Sequence, residues 1–447
     1  MNQIKSKMIK VTLNPFQLYS LIEKEFEYTF LLESTEGPDR LARFSFIGFE
    51  PSKVISAQGK TVRIGSREEK VERPIEALKA SVERVESERS GFIGGAVGYF
   101  AYDYVRNIEP SAISENNVKG KFPDFEFGIF QDCIIYDHKK RTVEYIFKGE
   151  DRSGKILELI KNSGRDQENF SIKNKKANIG KEEFEKMVKS AKDKIIEGEI
   201  FQAVISRRYE LEFEGSLLKF YNYLKQKNPS PYMYYLNFGR RKIIGSSPEN
   251  LVRVEGNKIE SYATLAGTMP RGEDKKQDLE FEKKLLESEK ERAEHLMLVD
   301  LTRNDVGKVA EAGSVTVDEF MKVEKYSHVQ HISSKISAKL KEGNDCFDAF
   351  EALFPAGTLT GAPKVRAMEL IGRLEGNCRG AYGGAVGYFS FNGNCDFAIT
   401  IRTLFANGDK AYIQAGAGIV YDSIPEKEFE ETENKMGALI SALERGA

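Results

Sequence analysis

The sequence predicts an α+β fold built on two packed, mainly antiparallel β-sheets, and three observations carry that expectation. Strand-like and helix-like stretches arrive in batches and do not alternate strictly, unlike the pattern of a parallel, doubly wound sheet. The run GGAVGYF at 94–100 recurs unchanged at 383–389, so the chain is expected to hold two related strand arrangements, in keeping with two sheets packed on each other. With 447 residues, the chain is long enough to bury a large core.

Residues 1–147 are rich in strand signals: YTFLLES and RFSFIGFEP are apolar runs separated by the turn-forming TEGPD. A helix is expected around Pro74–Val85, ahead of GFIGGAVGYFAYDYV. From 148 to 180 the composition turns polar and Lys-rich, which marks a linker or an exposed excursion. The remaining region, 181–447, opens with Phe184, Met187, Val188, Ala191 and Ile195 at helical spacing and Gly198 as a stop. Strands follow through IFQAVISRRYELEF, YMYYLNF, KIIGSSPENLVRV and KIESYATLAGT. Helices dominate from 278 to about 303 and from 346 to 375, before the strands GAYGGAVGYFSF, FAITIRTLF and AYIQAGAGIVY. A last helix begins after Asp422-Ser423-Ile424-Pro425, with Pro in its first turn.

Composition excludes several classes. The 67 basic and 69 acidic residues balance, leaving no electrostatic footprint for nucleic acid. No run approaches the roughly 20 apolar residues of a membrane span, and MNQIKSKMIKVTLNP lacks the apolar core of a signal peptide. Cys133, Cys346, Cys378 and Cys395 are scattered with no C-x-x-C pair, which argues against a zinc site and agrees with a reducing compartment. A cytoplasmic protein is expected.

Two helices carry acids in pairs. In SEKERAEHLMLVDLTRNDVG at 288–307, Glu291, Glu294, His295 and Leu298 fall along one stripe. In the last helix Glu428, Glu431 and Lys435 flank an apolar arc of Phe429, Thr432, Met436, Leu439, Ile440 and Leu443. Two such stripes facing each other would offer up to four carboxylates, a donor set for a hard cation such as Mg²⁺. Ser288 with Glu291 is equally a capping box, acids beside Lys are commonly solvated ion pairs, and spacing alone does not bring the stripes together. Of four histidines, His295, His328 and His331 lie within one 37-residue window. LFPAGTLTGAPKVRAMELI at 353–371 suggests a tight loop feeding a helix whose first N–H groups could receive an anion. QAGAGIV at 414–420 would let backbone approach one closely, and Arg402 stands as a charge in an apolar strand, exposed or paired with an anion.

In this order SSPENL, AGT-x-PRG, ERAEHLMLVDLxRND, YSHVQH, LFPAGTLTGAPK, YGGAVGY, IR and QAGAGIV followed by E-x-x-E-x-x-x-K resemble the chorismate-utilising enzymes, and among them most closely the anthranilate synthase component I family. The likeness runs from about 182 to 442, and LLES with RFSFIG extends it over nearly the whole chain. It implies that family's fold, with helices outside the two sheets and the N-terminal and C-terminal regions interleaved.

The resemblance also implies roles. Chorismate's carboxylates would be held by Gly267, Thr268, Tyr382, Arg402 and the loop Gly416, Ala417 and Gly418. Mg²⁺ would sit between Glu294 and Glu431, with Glu291 and Glu428 close by and Lys435 assisting. Glu249 matches the general acid for loss of the C4 hydroxyl, and His331 and Thr358 match residues associated with loss of pyruvate. Gln202 stands where isochorismate and salicylate synthases carry a water-activating Lys, and Ala266 where aminodeoxychorismate synthases commonly have Lys, leaving room for ammonia at C2. Thr264-Leu265 and Met269 depart from the usual Pro-Ile and Arg beside the expected ammonia path. Leu31-Leu32-Glu33-Ser34 and Asn228–Met233 resemble the family's feedback site, with Ser34, Pro231, Tyr232 and Met233 contacting L-tryptophan.

The expected reaction is chorismate plus ammonia giving anthranilate and pyruvate, the first committed step of tryptophan biosynthesis. The chain runs out after its last helix, so a separate glutamine amidotransferase subunit is expected to supply ammonia. The alternatives are an aminodeoxychorismate synthase subunit, which would stop at an aminated product, and a noncatalytic tryptophan-binding protein on the same fold.

Overall fold

The computed structural model describes residues 3–34, 43–112, 120, 122–162, 169–262, 264–325 and 329–446. Two sheets of twelve strands each form its centre, and every pairing between named strands is antiparallel. The first sheet runs from Lys5–Met8 through Tyr28–Glu33, Tyr232–Phe238, Arg241–Ser247, Thr403–Asn407 and Lys410–Ile419 to Gln202–Gly215 and the edge strand Phe170–Ala177. The second runs from Ala266–Pro270 and Val329–Lys339 through Asn250–Glu255, Cys395–Ile399, Ala385–Ser390 and Gly95–Phe100 to Arg67–Lys70. Early and late segments are neighbours in both sheets, since Leu31 pairs with Tyr235 and Val97 with Tyr388.

The facing sides share one apolar core, in which Phe30, Tyr234 and Phe405 of the first sheet join Phe100, Phe127 and Phe397 of the second. Outside the first sheet, helices Pro15–Glu25, Leu218–Lys227 and Pro425–Gly446 bury Leu18, Ile22, Leu224, Met436 and Leu443 against Leu31, Ile244 and Ile413. This is helical spacing meeting alternate strand residues, and the burial drives both.

Two expectations need correction. The GGAVGYF copies do not seed separate sheets: they lie side by side in one sheet, with Gly98 opposite Gly387. Both glycines are required by neighbouring backbone, because a Cβ would stand 2.0 Å from the Glu126 carbonyl at Gly98 and 2.0 Å from the Asp396 carbonyl at Gly387. The stretch 148–180 is no bare linker: it carries helix Ser153–Lys161, which buries Ile156, and strand Phe170–Ala177, which buries Phe170. The exposed polar residues of that strand, Lys173 to Lys176, lie at a sheet edge. A third expectation is met: the helices expected from 278 are Lys275–Glu287 and Glu289–Gly307, parted at Ser288. Among the described residues, no helix is long and apolar enough to cross a membrane, and all four cysteines are free.

Candidate active site

The two acid-bearing helices meet. Glu291 and Glu294 of Glu289–Gly307, with Glu428, Glu431 and Lys435 of Pro425–Gly446, line one cavity of about 320 Å³. Ser288 caps its helix, accepting the Glu291 N–H at 3.3 Å, while the Glu291 carboxylate faces the cavity against Gly267. The backbone φ at Gly267 is +65°, which favours glycine, and a Cβ there would stand 2.7 Å from Glu291 Oε2 and displace the end of that side chain. Lys435 Nζ lies 2.7 Å from Glu431 Oε1 and donates to the Gly416 carbonyl at 2.9 Å. His295 leaves the stripe: it is buried with Nε2 2.6 Å from Ser334 Oγ, and burial pushes its imidazole down to about 4.

The paired strands Gln202–Gly215 and Lys410–Ile419 form the floor, with Val204 opposite Gly418 and Ser206 opposite Gly416. Strand alternation brings Gly416 and Gly418 to the cavity and turns Ala417 away. Ala417, expected to act with the glycines, is instead buried among Ile205, Ile419 and Leu370. Gln202 Nε2 donates to Glu294 Oε1 at 2.9 Å, and a Cβ at Gly418 would fall 2.6 Å from that nitrogen. The glycine therefore leaves room for the amide that orients a carboxylate.

Arg402 does not sit inside a strand. It occupies the corner at which the chain leaves Cys395–Ile399 in the second sheet and enters Thr403–Asn407 in the first, with φ +50°. A left-handed arginine is strained backbone, and here it lines the cavity. Glu249 lies on a second crossing, between Arg241–Ser247 and Asn250–Glu255. Its carboxyl is buried, Oε1 has no hydrogen-bond partner among the described residues, and burial pushes it up to about 7. Thr358 stands close enough to draw that value down, yet its hydroxyl makes no hydrogen bond of ordinary geometry among the described residues.

His331, on Val329–Lys339, places Nδ1 2.7 Å from the Gly267 carbonyl. A carbonyl only accepts, so Nδ1 carries the proton and Nε2 the lone pair. Burial lowers this imidazole to about 4, so it is neutral at pH 7. Tyr382, Ala266 and Gly267 complete the expected set around the cavity. The side chain of Thr268 and all of His328 lie outside the described residues, as does the TEGPD turn. Of the loop after Leu353, Thr358 and Leu359 reach the cavity. The helix start does not: Lys364 bonds the Asp305 carboxylate and, at 2.8 Å, the Pro355 carbonyl.

Sequence reasoning missed Lys290 and Gln414, which also line the cavity. Gln414 was open to detection, since it alternates with Gly416 and Gly418 along one strand face.

The donor set suits a hard cation. It is all oxygen, and the Glu294 carboxyl is raised by burial and by the Glu291 and Glu431 charges, a repulsion that a divalent ion would relieve. Among the described residues, no three acidic, His or Cys side chains stand close enough to cage an ion. An ion held between Glu294 and Glu431 would therefore take most of its shell from other oxygens, as Mg²⁺ commonly does.

A second cavity opens between the sheets, where Ser34, Pro231, Tyr232 and Met233 come together as expected. Phe44, Phe46, Tyr388, Arg253 and Asp396, which sequence reasoning missed, also line it. The Asp396 carboxylate accepts from the Tyr232 hydroxyl at 2.9 Å.

A family model described as chorismate binding enzyme matches residues 27–441. The anthranilate synthase component 1 of Methanothermobacter marburgensis is 48% identical over 434 residues, spanning 96% of this chain and 93% of that one. The crystal structure of anthranilate synthase component I from Streptococcus pneumoniae superposes with a TM-score of 0.82 at 34% identity, covering 91% and 93% of the two chains. The menaquinone-specific isochorismate synthase of Escherichia coli shares the fold, with a TM-score of 0.76 at 19% identity over 99% and 95%. The chain, with its two antiparallel sheets and the acid-lined cavity at their crossings, belongs to the chorismate binding enzyme family, alongside the anthranilate synthase component 1 proteins.

Proposed function

We propose that the chain is the large subunit of a cytoplasmic anthranilate synthase, converting chorismate and ammonia to anthranilate and pyruvate in the first committed step of L-tryptophan biosynthesis. The observation that supports this most is the single cavity in which a buried carboxyl raised to about 7, an arginine at a strained corner and four further carboxylates converge. Arg402, the Gly416 and Gly418 backbone, Gly267 and Tyr382 bind the two carboxylates of chorismate. Glu249, protonated near neutral pH, donates its proton to the departing C4 hydroxyl as ammonia adds at C2, past the small side chain of Ala266. The carbon–nitrogen bond forms at C2, both ring double bonds shift by one position, the C4–oxygen bond breaks and water leaves. The neutral His331 imidazole then accepts the C2 proton, the C3–oxygen bond breaks, and the side chain departs from the aromatised ring as the enolate of pyruvate, which becomes pyruvate on taking up a proton at its methylene carbon. Glu294 and Glu431, with Glu291 and Glu428 near them, would hold Mg²⁺, which supplies a positive charge to fix an anionic substrate when bound. Gln202 orients Glu294, and Lys435 orients Glu431.

A glutamine amidotransferase subunit supplies the ammonia. The second cavity takes L-tryptophan as inhibitor: its aromatic walls suit an indole, Asp396 an ammonium and Arg253 a carboxylate.

The test is to incubate the chain with chorismate, Mg²⁺ and an ammonium salt at alkaline pH, following anthranilate fluorescence and pyruvate together. Both products, abolished by chelation and reduced by L-tryptophan, are expected. An aminated product without pyruvate would move the assignment to an aminodeoxychorismate synthase, and no turnover would leave a tryptophan-binding protein.

A further inference from the structure

The segment 396–402 contributes to the lining of both cavities, and 246–250 lines the first and touches residues that line the second. Glu249 faces the first cavity, whereas Asn250 turns its side chain toward the wall of the second. Asn250 Nδ2 lies 2.9 Å from the Tyr232 hydroxyl, 3.2 Å from Asp396 Oδ1 and 3.2 Å from the Phe397 carbonyl. Tyr232 and Asp396 line the second cavity. Asn250 is 3% exposed, and its Oδ1 has no hydrogen-bond partner among the described residues. The strand register slips between Asn250 and Val252, so regular pairing is broken at this point and the carboxamide helps fix the backbone.

We propose that Asn250 is the positioning residue through which occupancy of the second cavity is felt at Glu249, an inference that rests on the reading of that cavity as the tryptophan site. A ligand ammonium drawn to Asp396 competes with the Asn250 and Tyr232 donors for the same carboxylate. Asn250 then loses an anchor at the irregular step of its strand. Glu249, one peptide away and tied through its carbonyl to the Ile399 N–H at 3.0 Å, shifts with it. The ligand acts because it binds the two arrangements of this link unequally.

The test measures chorismate turnover by the wild type and Asn250→Ala with ammonium as nitrogen source, at rising L-tryptophan, with tryptophan binding followed separately by calorimetry. The coupling is the ratio of kcat/KM without tryptophan to that at saturation, typically about 5–150-fold for linked sites. In Asn250→Ala this ratio is expected to fall toward one while tryptophan still binds. A merely structural role would lower melting temperature or kcat and leave the ratio in place, so an unchanged ratio overturns the proposal. A wild type that binds no tryptophan overturns the reading of the second cavity, and the proposal with it. If Asn250→Ala does not fold, Asn250→Leu keeps the side-chain volume and removes the same donors to Tyr232 and Asp396. Lost coupling with retained binding supports the relay, and unchanged coupling overturns it.

Discussion

The two cavities are lined by different strands of the same two sheets, and they differ in how fully their polar groups are paired. In the first, Glu249 Oε1, Gln202 Oε1 and Thr358 Oγ1 are buried with no hydrogen-bond partner among the described residues. In the second, Tyr232 and Asp396 bond each other, and Glu33 is held by the Tyr221 hydroxyl at 2.9 Å and by Lys225. Buried polar atoms without partners cost roughly 1–3 kcal/mol each, a cost that persists where the missing partner is a reactant. Paired groups instead make a rigid frame that a ligand enters by exchanging one bond for another. The first cavity is therefore poised for chemistry and the second for recognition.

The sharpest test of that contrast is Glu249→Gln. It keeps the volume and removes the proton, so kcat is expected to fall by about 10²–10⁴, while tryptophan binding to the second cavity, measured by calorimetry, persists. Joint loss of both functions would break the comparison. The wild type carries a matching pH signature. The folded value of Glu249, about 7, lies above its ordinary 4.5, so the stability gained from the neutral form is complete below 4.5 and lost as pH rises through 7. The difference is on the order of 3 kcal/mol, and Glu249→Gln should gain melting temperature over the wild type progressively between pH 5 and pH 8.

What the sequence revealed of this contrast depended on whether a signal was local. Glu291 and Glu294 sit three residues apart on one helix, as do Glu428 and Glu431 on another, and their periodicity placed each pair on a face. That the faces meet was supplied by resemblance alone, because helix spacing carries no information about partners. Glu249 and Arg402 stand where a strand changes sheets. FAITIRTLF shows continuous strand character, so the corner at Thr400–Arg402 has no mark in propensity. The GGAVGYF repeat was visible, but repetition does not say whether the copies pair or stack. Asp396 and Tyr388 join the second cavity from strands far along the chain, each an ordinary strand residue until the sheet is assembled.

A smaller effect is expected from Gly418→Ala. The new methyl would lie 2.6 Å from Gln202 Nε2, and that amide is free to rotate away only by giving up Glu294. With one hydrogen bond to a charged group lost, worth about 1.5–3 kcal/mol, kcat/KM should drop on the order of tenfold to a hundredfold, and the Mg²⁺ concentration for half-maximal rate should rise. Since Gly418 lines the first cavity and not the second, tryptophan affinity is the internal control. An unchanged magnesium dependence would sever Gln202 from the carboxylate set.

The smallest effect belongs to the second cavity, and its smallness is part of the contrast. Phe46 stacks edge-on with Phe92 at 5.6 Å and Tyr388 at 6.3 Å, so its ring is held by other rings as well as by any ligand. Phe46→Leu keeps an apolar wall and loses aromatic pairing, worth about 0.5–1.5 kcal/mol. Tryptophan affinity, read by calorimetry or as the inhibitor concentration for half-maximal effect, should weaken by about two- to tenfold, an interval that is this energy expressed as a ratio. A recognition site spread over several rings degrades gradually when one is trimmed, whereas a catalytic site fails when one proton is removed. A loss of tryptophan binding at Phe46→Leu as steep as the loss of turnover at Glu249→Gln would mean that the second cavity, too, hinges on a single group.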